Sequence, residues 1–310
     1  MSLPDELVRR LAPPPRVVVV GFGEFGSAIA RGFAQAARAD VVVFSRASTI
    51  SAETLGERAE AAGVTVCGTL EEALDGADVV ISAVPASAAS DVARRCAGRL
   101  TKATLFVDVT PQLPEAKGAD AAVLEGLGAT YADVAIIGTV AADGYRTPMI
   151  ACGSGAQAWR EIATPLGIEV TTIGGPPGSA SLVKLLRSIY MKGRDSLILE
   201  LLLVTRAYGL DDTVVQSIAG AKEQVPFPDL VTRVMCSLVL HAERRADELA
   251  KSADMIEAVG LEPLVTRAGV ERLQRFARLG LRERFAGDRP AALEDVLAAI
   301  DEAYSQLPRT

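Results

Sequence analysis

Three glycines in the run Val20-Gly21-Phe22-Gly23-Glu24-Phe25-Gly26 carry the clearest chemistry in this chain of 310 residues. They directly follow four valines, Val17–Val20, and open onto Ser27-Ala28-Ile29-Ala30, a helix-forming stretch. A G-x-G-x-x-G spacing between a strand and a helix is the context in which such a turn cradles a diphosphate. Gly21 permits the tight turn, Gly23 lets the backbone approach a pyrophosphate, and Gly26 lets helix and strand pack closely. The helix N-terminus points free N–H groups at the anion. The whole segment, with Phe22, Glu24 and Phe25, is therefore assigned to a dinucleotide.

The tip of the next strand bears on which dinucleotide. About twenty residues after the motif, an NAD-binding fold usually places an acid to accept from the ribose 2′-OH. Here the chain reads Val43-Phe44-Ser45-Arg46-Ala47-Ser48, with no acid. Arg46 can pair with a 2′-phosphate while Ser45 and Ser48 donate to it, which favours NADPH/NADP and leaves NAD open. Two further strand ends border the expected groove. Ala83-Val84-Pro85 follows the fourth strand, and its small residues let the nicotinamide half pass. Asp108-Val109-Thr110-Pro111 follows the fifth and places Thr110 near the reacting end, since ligands sit beyond the carboxyl ends of such strands. Both segments also read as plain turns, a reading nearly as strong as the functional one at Asp108.

Composition narrows the function classes. With 49% apolar residues the chain can offset the entropy of ordering. Lys+Arg 32 against Asp+Glu 39 gives a net charge of −7, which disfavours nucleic acid as a partner. The four cysteines are scattered and His241 is the sole histidine, so neither a zinc site nor a serine-type triad is expected, and no metal is assigned. The N-terminus does not read as a signal peptide, and Leu197–Thr205 is too short to span a bilayer. The expectation is a cytoplasmic protein acting on a small molecule, with no membrane partner.

The elements that must position these residues alternate in type. Short β-branched runs (Arg16–Val20, Val41–Phe44, Val64–Val66, Val79–Ser82, Leu105–Val109, Ala129–Ile137, Met149–Cys152, Ile168–Ile173) are separated by Ala-rich helical stretches. Continuously apolar strands in this order predict an α/β fold, a doubly wound parallel Rossmann sheet covered on both faces. After Gly174-Gly175-Pro176-Pro177-Gly178 no strand is expected. Ser181–Tyr208 reads as one helix of about 40 Å, apolar on more than one side, as in helices buried between domains or subunits. Further helices are expected at Asp211–Ala221, Leu230–Val259, Leu264–Leu279 and Ala291–Leu307, with Pro226 and Pro228 breaking the chain between two of them. This gives an NADP-binding domain over 1–177 and an all-α substrate and dimerisation domain over 178–310, entered by a long interdomain helix.

The chain resembles the β-hydroxyacid dehydrogenase superfamily, which includes 3-hydroxyisobutyrate and 6-phosphogluconate dehydrogenases and the imine reductases. The Gly21–Gly26 turn, Ser45-Arg46, Asp108–Thr110 and the long helix with Lys184 carry the resemblance over nearly the whole length. Asp133–Gly138, Tyr145–Pro148 and Lys184…Met191-Lys192-Gly193 are most similar to a subgroup with a phosphogluconate-dehydrogenase-like C-terminal domain. The resemblance implies a homodimer, and a catalytic lysine in the pattern Gly-x-x-x-x-x-Lys-x-x-x-Asn. Gly178 and Lys184 match it; Ser188 stands where Asn is usual. A lysine with a pKa lowered by partial desolvation can exchange the proton that accompanies hydride transfer. The family's substrate loop usually reads Val-Ser-Gly-Gly; here Ile136-Ile137-Gly138-Thr139 keeps one glycine and loses the serine. Ile137, Gly138, Thr139 and Lys192 are the implied substrate contacts.

His241 and Arg245 are four apart on a helical stretch, where they either cap a substrate anion or shuttle a proton, as catalytic groups, or form part of a solvated, salt-bridged surface. Tyr145, Arg146 and Tyr190 are weaker candidates. Three activities fit this sequence. The first is an NADPH-dependent dehydrogenase or reductase of a small hydroxyacid or carbonyl compound, with Lys184 as proton donor and acceptor. The second is an imine reductase, weakly favoured by Ile137. The third is a non-catalytic NADPH-binding sensor.

Overall fold

The computed structural model describes residues 15–36, 39–46, 51–219 and 225–305. Its strands are β1 (Arg16–Val20), β2 (Asp40–Phe44), β3 (Thr65–Val66), β4 (Val79–Ser82), β5 (Leu105–Asp108), β6 (Thr130–Ile136), β7 (Met149–Cys152) and β8 (Val170–Thr172). The helices between them are α1 (Glu24–Gln35), α2 (Ala52–Ala62), α3 (Leu70–Leu74), α4 (Ala86–Ala97), α5 (Pro114–Gly126), α6 (Val140–Asp143) and α7 (Ala156–Ala163). The rest is helical among the described residues: α8 (Ser179–Ala207), α9 (Asp211–Ile218), α10 (Phe227–Ala258), α11 (Leu264–Ala277), α12 (Leu281–Arg284) and α13 (Leu293–Ser305).

The eight strands form one sheet in the order β3-β2-β1-β4-β5-β6-β7-β8. β1 to β6 pair in parallel, so all their carboxyl ends lie along one edge. Alternate valines of β1 serve two cores. Val17 and Val19 pack with Ile29, Phe33 and Trp159 on one face, whereas Val18 and Val20 pack with Leu70, Phe106 and Tyr131 on the other. Burial on both faces accounts for the unbroken valine run. The sheet departs from the all-parallel expectation at β7, which runs antiparallel to β6. Their link, residues 137–148, contains only the one-turn α6 and a 3-10 turn, too little for a crossover that would return the chain in parallel.

The chain divides into two compact units, residues 1–188 and 189–310, with the division falling within α8. In the second unit Cys236 and Val239 of α10 pack with Leu281, Val296 and Ala299. Pro263 precedes α11 and supplies no side-chain cap; Glu200 of α8 instead accepts from the Val265 and Thr266 amides at 2.8 and 2.9 Å. The expected break at Pro228 is corrected. Pro228 lies inside the first turn of α10, where its missing N–H removes no helix bond. No helix among the described residues is long and apolar enough to cross a membrane.

Candidate functional site

A groove of about 630 Å³ runs along the carboxyl edge of the sheet. Gly21, Phe22 and Gly23 form its floor, with Ser45 and Arg46 from the tip of β2, Ala83-Val84-Pro85 from the end of β4, Arg58 from α2, and Pro111 beyond β5. Gly21 has φ +95°, and a Cβ there would stand 2.5 Å from the Ala83 carbonyl oxygen. At Gly23 a Cβ would meet nothing within 4 Å, which leaves room for a ligand against the backbone. Gly23 is also the N-cap of α1 and supplies no side chain to its first-turn amides. Phe22 is buried in the core and Phe25 packs against it, so these two offer only main-chain groups to the groove. A glycine cradle, uncapped amides and two guanidinium groups together match the donor set of a dinucleotide phosphate.

Arg46 forms an ion pair with Asp91 of α4 at 3.3 Å, both side chains about half exposed. Ser48 lies outside the described residues. Arg58, which sequence reading missed, donates to the Phe22 carbonyl at 3.4 Å, so its guanidinium lies beside the glycine turn. Nothing in the local sequence distinguishes Arg58 from a solvated helix arginine. Thr110 is buried and turned inward: its hydroxyl lies 2.6 Å from Asp108 Oδ1 and 3.0 Å from Gln112 Oε1, and Pro111 takes the place at the groove.

The strongest electrostatic feature of this unit was also missed. Lys117 of α5 is fully buried, with its Nζ 3.0 Å from Asp108 Oδ1, 3.4 Å from Asp133 Oδ1 and donating to the Asp108 carbonyl at 2.9 Å. Asp108 and Asp133 are register partners across β5 and β6. Desolvating one such ion costs several kcal/mol, so the cluster is stable only with its donors and acceptors filled. They are filled. Tyr131 donates to Asp108 Oδ2 at 2.8 Å, and the Gly178 and Ser181 amides donate to Asp133 Oδ2 at 2.9 and 3.1 Å. Burial, and then the Asp108 charge, push the Tyr131 phenol far above its usual range. Burial likewise pushes the Cys152 thiol, which donates to Asp133, up to about 11. A sequence signal did exist: Lys117, Asp120 and Leu124 sit on the inward stripe of α5, at spacings where apolar residues are expected.

Lys184, one turn beyond Ser181, is half-buried, and no hydrogen bond or ion pair holds its ammonium among the described residues. Burial, and then the charge of Lys117, lower its pKa. Ser188 donates to the Lys184 carbonyl at 2.9 Å and so faces its own helix. Ile137 packs with Ala135, Cys152 and Ala180, while Gly138 and Thr139 continue beyond the carboxyl end of β6. Lys192 and His241 belong to the second unit. Lys192 is exposed, 3.8 Å from Asp195; His241 is half-buried on α10, and Arg245 donates to Ser237 at 2.8 Å.

Comparison with known proteins agrees with this architecture. Residues 16–112 match the family described as NADP oxidoreductase, coenzyme F420-dependent, and residues 206–276 match a domain of unknown function, DUF1932. An uncharacterised 28.5 kDa protein of Methanothermus fervidus is 28% identical over 252 residues, covering 81% of this chain and 95% of that one. A solved conserved protein of unknown function, reported as structurally similar to 3-hydroxyacid dehydrogenases, is 28% identical with a TM-score of 0.56, covering 88% and 99% of the two chains. An imine reductase from Myxococcus stipitatus in complex with NADP+ shares the fold at a TM-score of 0.74, 19% identity, and 92% and 100% coverage. The chain thus carries an NADP-oxidoreductase domain followed by a DUF1932 domain, and it is similar to NAD(P)-dependent oxidoreductases of the hydroxyacid dehydrogenase type.

Removing Asp133 leaves two amides and the Ser181 hydroxyl without their acceptor, while Lys117 keeps Asp108 as its counterion. Asp133→Ala should lower unfolding stability by about 2–4 kcal/mol, measured by urea denaturation, because buried donors are left unsatisfied at about 1–3 kcal/mol each.

Proposed function

We propose that this protein is an NADPH-dependent reductase or dehydrogenase that moves hydride between the nicotinamide and a small hydroxyacid or its carbonyl counterpart. The observation that carries the reading is a half-buried lysine, Lys184, whose ammonium no acceptor holds among the described residues, in a unit that also has a dinucleotide groove. The cofactor supplies the hydride. The chain must therefore bind it, orient it and handle one proton.

Gly21, Gly23 and the first-turn amides of α1 hold the diphosphate in this reading. Arg46 and Arg58 hold the 2′-phosphate, which displaces Asp91 from Arg46. Two guanidinium groups and no acid at the tip of β2 support NADP over NAD. Gly138 and Thr139, with the Ile137 main chain, are assigned to the substrate side, and the helical part from 178 onward to substrate binding and dimerisation. His241 and Lys192 remain candidates for the substrate's anionic group. Ile137, partly buried, packs against Ala135, Cys152 and Ala180, and imine reduction on the same scaffold stays the second reading. Scattered free thiols support a reducing, cytoplasmic location.

Lys184 is the proposed proton carrier. In the reducing direction its ammonium gives a proton to the nascent alkoxide at Nζ; in the oxidising direction the neutral amine takes it back. A lowered pKa sets the sign. Reduction falls, and oxidation rises, as pH climbs through a value below the unperturbed lysine value of about 10.4.

Three outcomes test this function. Arg46→Asp should weaken NADPH binding about ten- to a hundredfold, the worth of one charged hydrogen bond of about 1.5–3 kcal/mol, and improve NADH relative to it. Dissociation constants for both cofactors measure this, and an unchanged ratio refutes the NADP assignment. Lys184→Ala should keep NADPH affinity yet lower turnover about 10²–10⁴-fold in a screen of carbonyl acids followed by NADPH absorbance. Lys184→Arg should not restore it, since guanidinium stays protonated. Finally, α8 exposes Leu186, Ile189 (72%), Leu199 (61%) and Leu203, more apolar surface than a monomer usually leaves in water. Sedimentation at micromolar concentration should give twice the mass of one chain, and a clean monomer would remove the dimer.

A further inference from the structure

Lys117 takes no part in the chemistry just described, yet every donor on its ammonium is committed. Two meet carboxylates on neighbouring strand ends, Asp108 at 3.0 Å and Asp133 at 3.4 Å, and one meets the Asp108 carbonyl at 2.9 Å. Asp133 then turns its remaining capacity to α8. It accepts the Gly178 amide at 2.9 Å, the Ser181 amide at 3.1 Å and the Ser181 hydroxyl at 2.7 Å. Gly178 has φ +102°, and a Cβ there would stand 2.6 Å from the Pro114 carbonyl oxygen at the start of α5. The entry to α8 is therefore pressed against the helix that carries Lys117. Three residues past Ser181, on the same face of α8, stands Lys184.

We propose that Lys117 is a positioning residue for Lys184: its buried ammonium clamps Asp108 to Asp133, and Asp133 in turn fixes the first turn of α8 on which Lys184 stands. The clamp does not touch the groove lining and is separate from cofactor binding. It rests on the reading of Lys184 as the proton carrier only for its purpose, because the placement of Lys184 can be measured without any substrate.

The charged groups linked to the start of α8 are Lys117 from α5, Asp108 from β5 and Asp133 from β6; the Cys152 thiol of β7 also meets Asp133. Of the two effects recorded at Lys184, burial is the larger and the Lys117 charge the second, and both disfavour its ammonium. Removing Lys117 takes away the cation and leaves both carboxylates unbalanced, and each change favours the ammonium of Lys184.

The test is the pH dependence of acetic anhydride labelling at Lys184 in the full chain, read by peptide mass spectrometry, with Lys192 as internal control. In Lys117→Met the half-labelling pH of Lys184 should rise by about one unit. Lys192 should not move, and NADPH affinity should stay within twofold. An unchanged Lys184 profile in a variant that still binds NADPH overturns the clamp. If Lys117→Met fails to bind NADPH, Ser181→Ala decides the matter: it removes one donor from Asp133, and the Lys184 profile should rise by a few tenths of a unit. No shift there overturns the proposal as well. Normal turnover by Lys184→Ala would instead sink the proton-carrier reading and leave the labelling result standing.

Discussion

Both oxygens of one carboxylate, on Asp133, join a strand end, a buried lysine and the start of a 29-residue helix. Most of the first unit's architecture follows from keeping that carboxylate satisfied. Parallel pairing of β5 and β6 sets Asp108 opposite Asp133, which would repel it in a low-dielectric interior without the ammonium between them. Lys117 reaches that gap because α5 crosses back over the sheet. Tyr131 then fills Oδ2 of Asp108, and Thr110 shares Oδ1 with Lys117. The polar chain extends through Gln112 to Asp120 and Ser90, so α4, whose other face borders the groove, is tied to the same cluster.

This arrangement gives the unit two kinds of rigidity. The groove relies on close backbone packing, with Gly21 against Ala83 and Gly26 against Gly21. The region around the α8 start relies on filled hydrogen bonds, where a single deletion strands a charge. Lys184, the proposed proton carrier, is mounted on the second kind of scaffold.

What was legible in the sequence follows the same division. The glycine turn, the valine strands and the long helix are local patterns, and their observed limits differ from the expected ones by a few residues at most; Leu230–Val259, for instance, begins three residues earlier at Phe227. Lys184 was singled out only through the resemblance, by its place six residues after Gly178. Lys117, Arg58 and Asp91 escaped because nothing local marks them. Asp108 and Asp133 are 25 positions apart and meet only through sheet register, and Asp91 reaches Arg46 from a helix that follows a different strand. The antiparallel β7 escaped because its apolar run has no directional signal.

Cys152 draws a different consequence from the same anchor. Its sulfur accepts from the Ala180 amide and donates to Asp133, and burial holds the thiol protonated up to about pH 11. Oxidants and alkylating agents react with the thiolate, so at neutral pH this sulfur is chemically inert although it sits at the point on which the helix is mounted. Its role is that of a polarisable filler with one weak donor, and the anchor it helps to build is indifferent to the redox state of the surrounding solution.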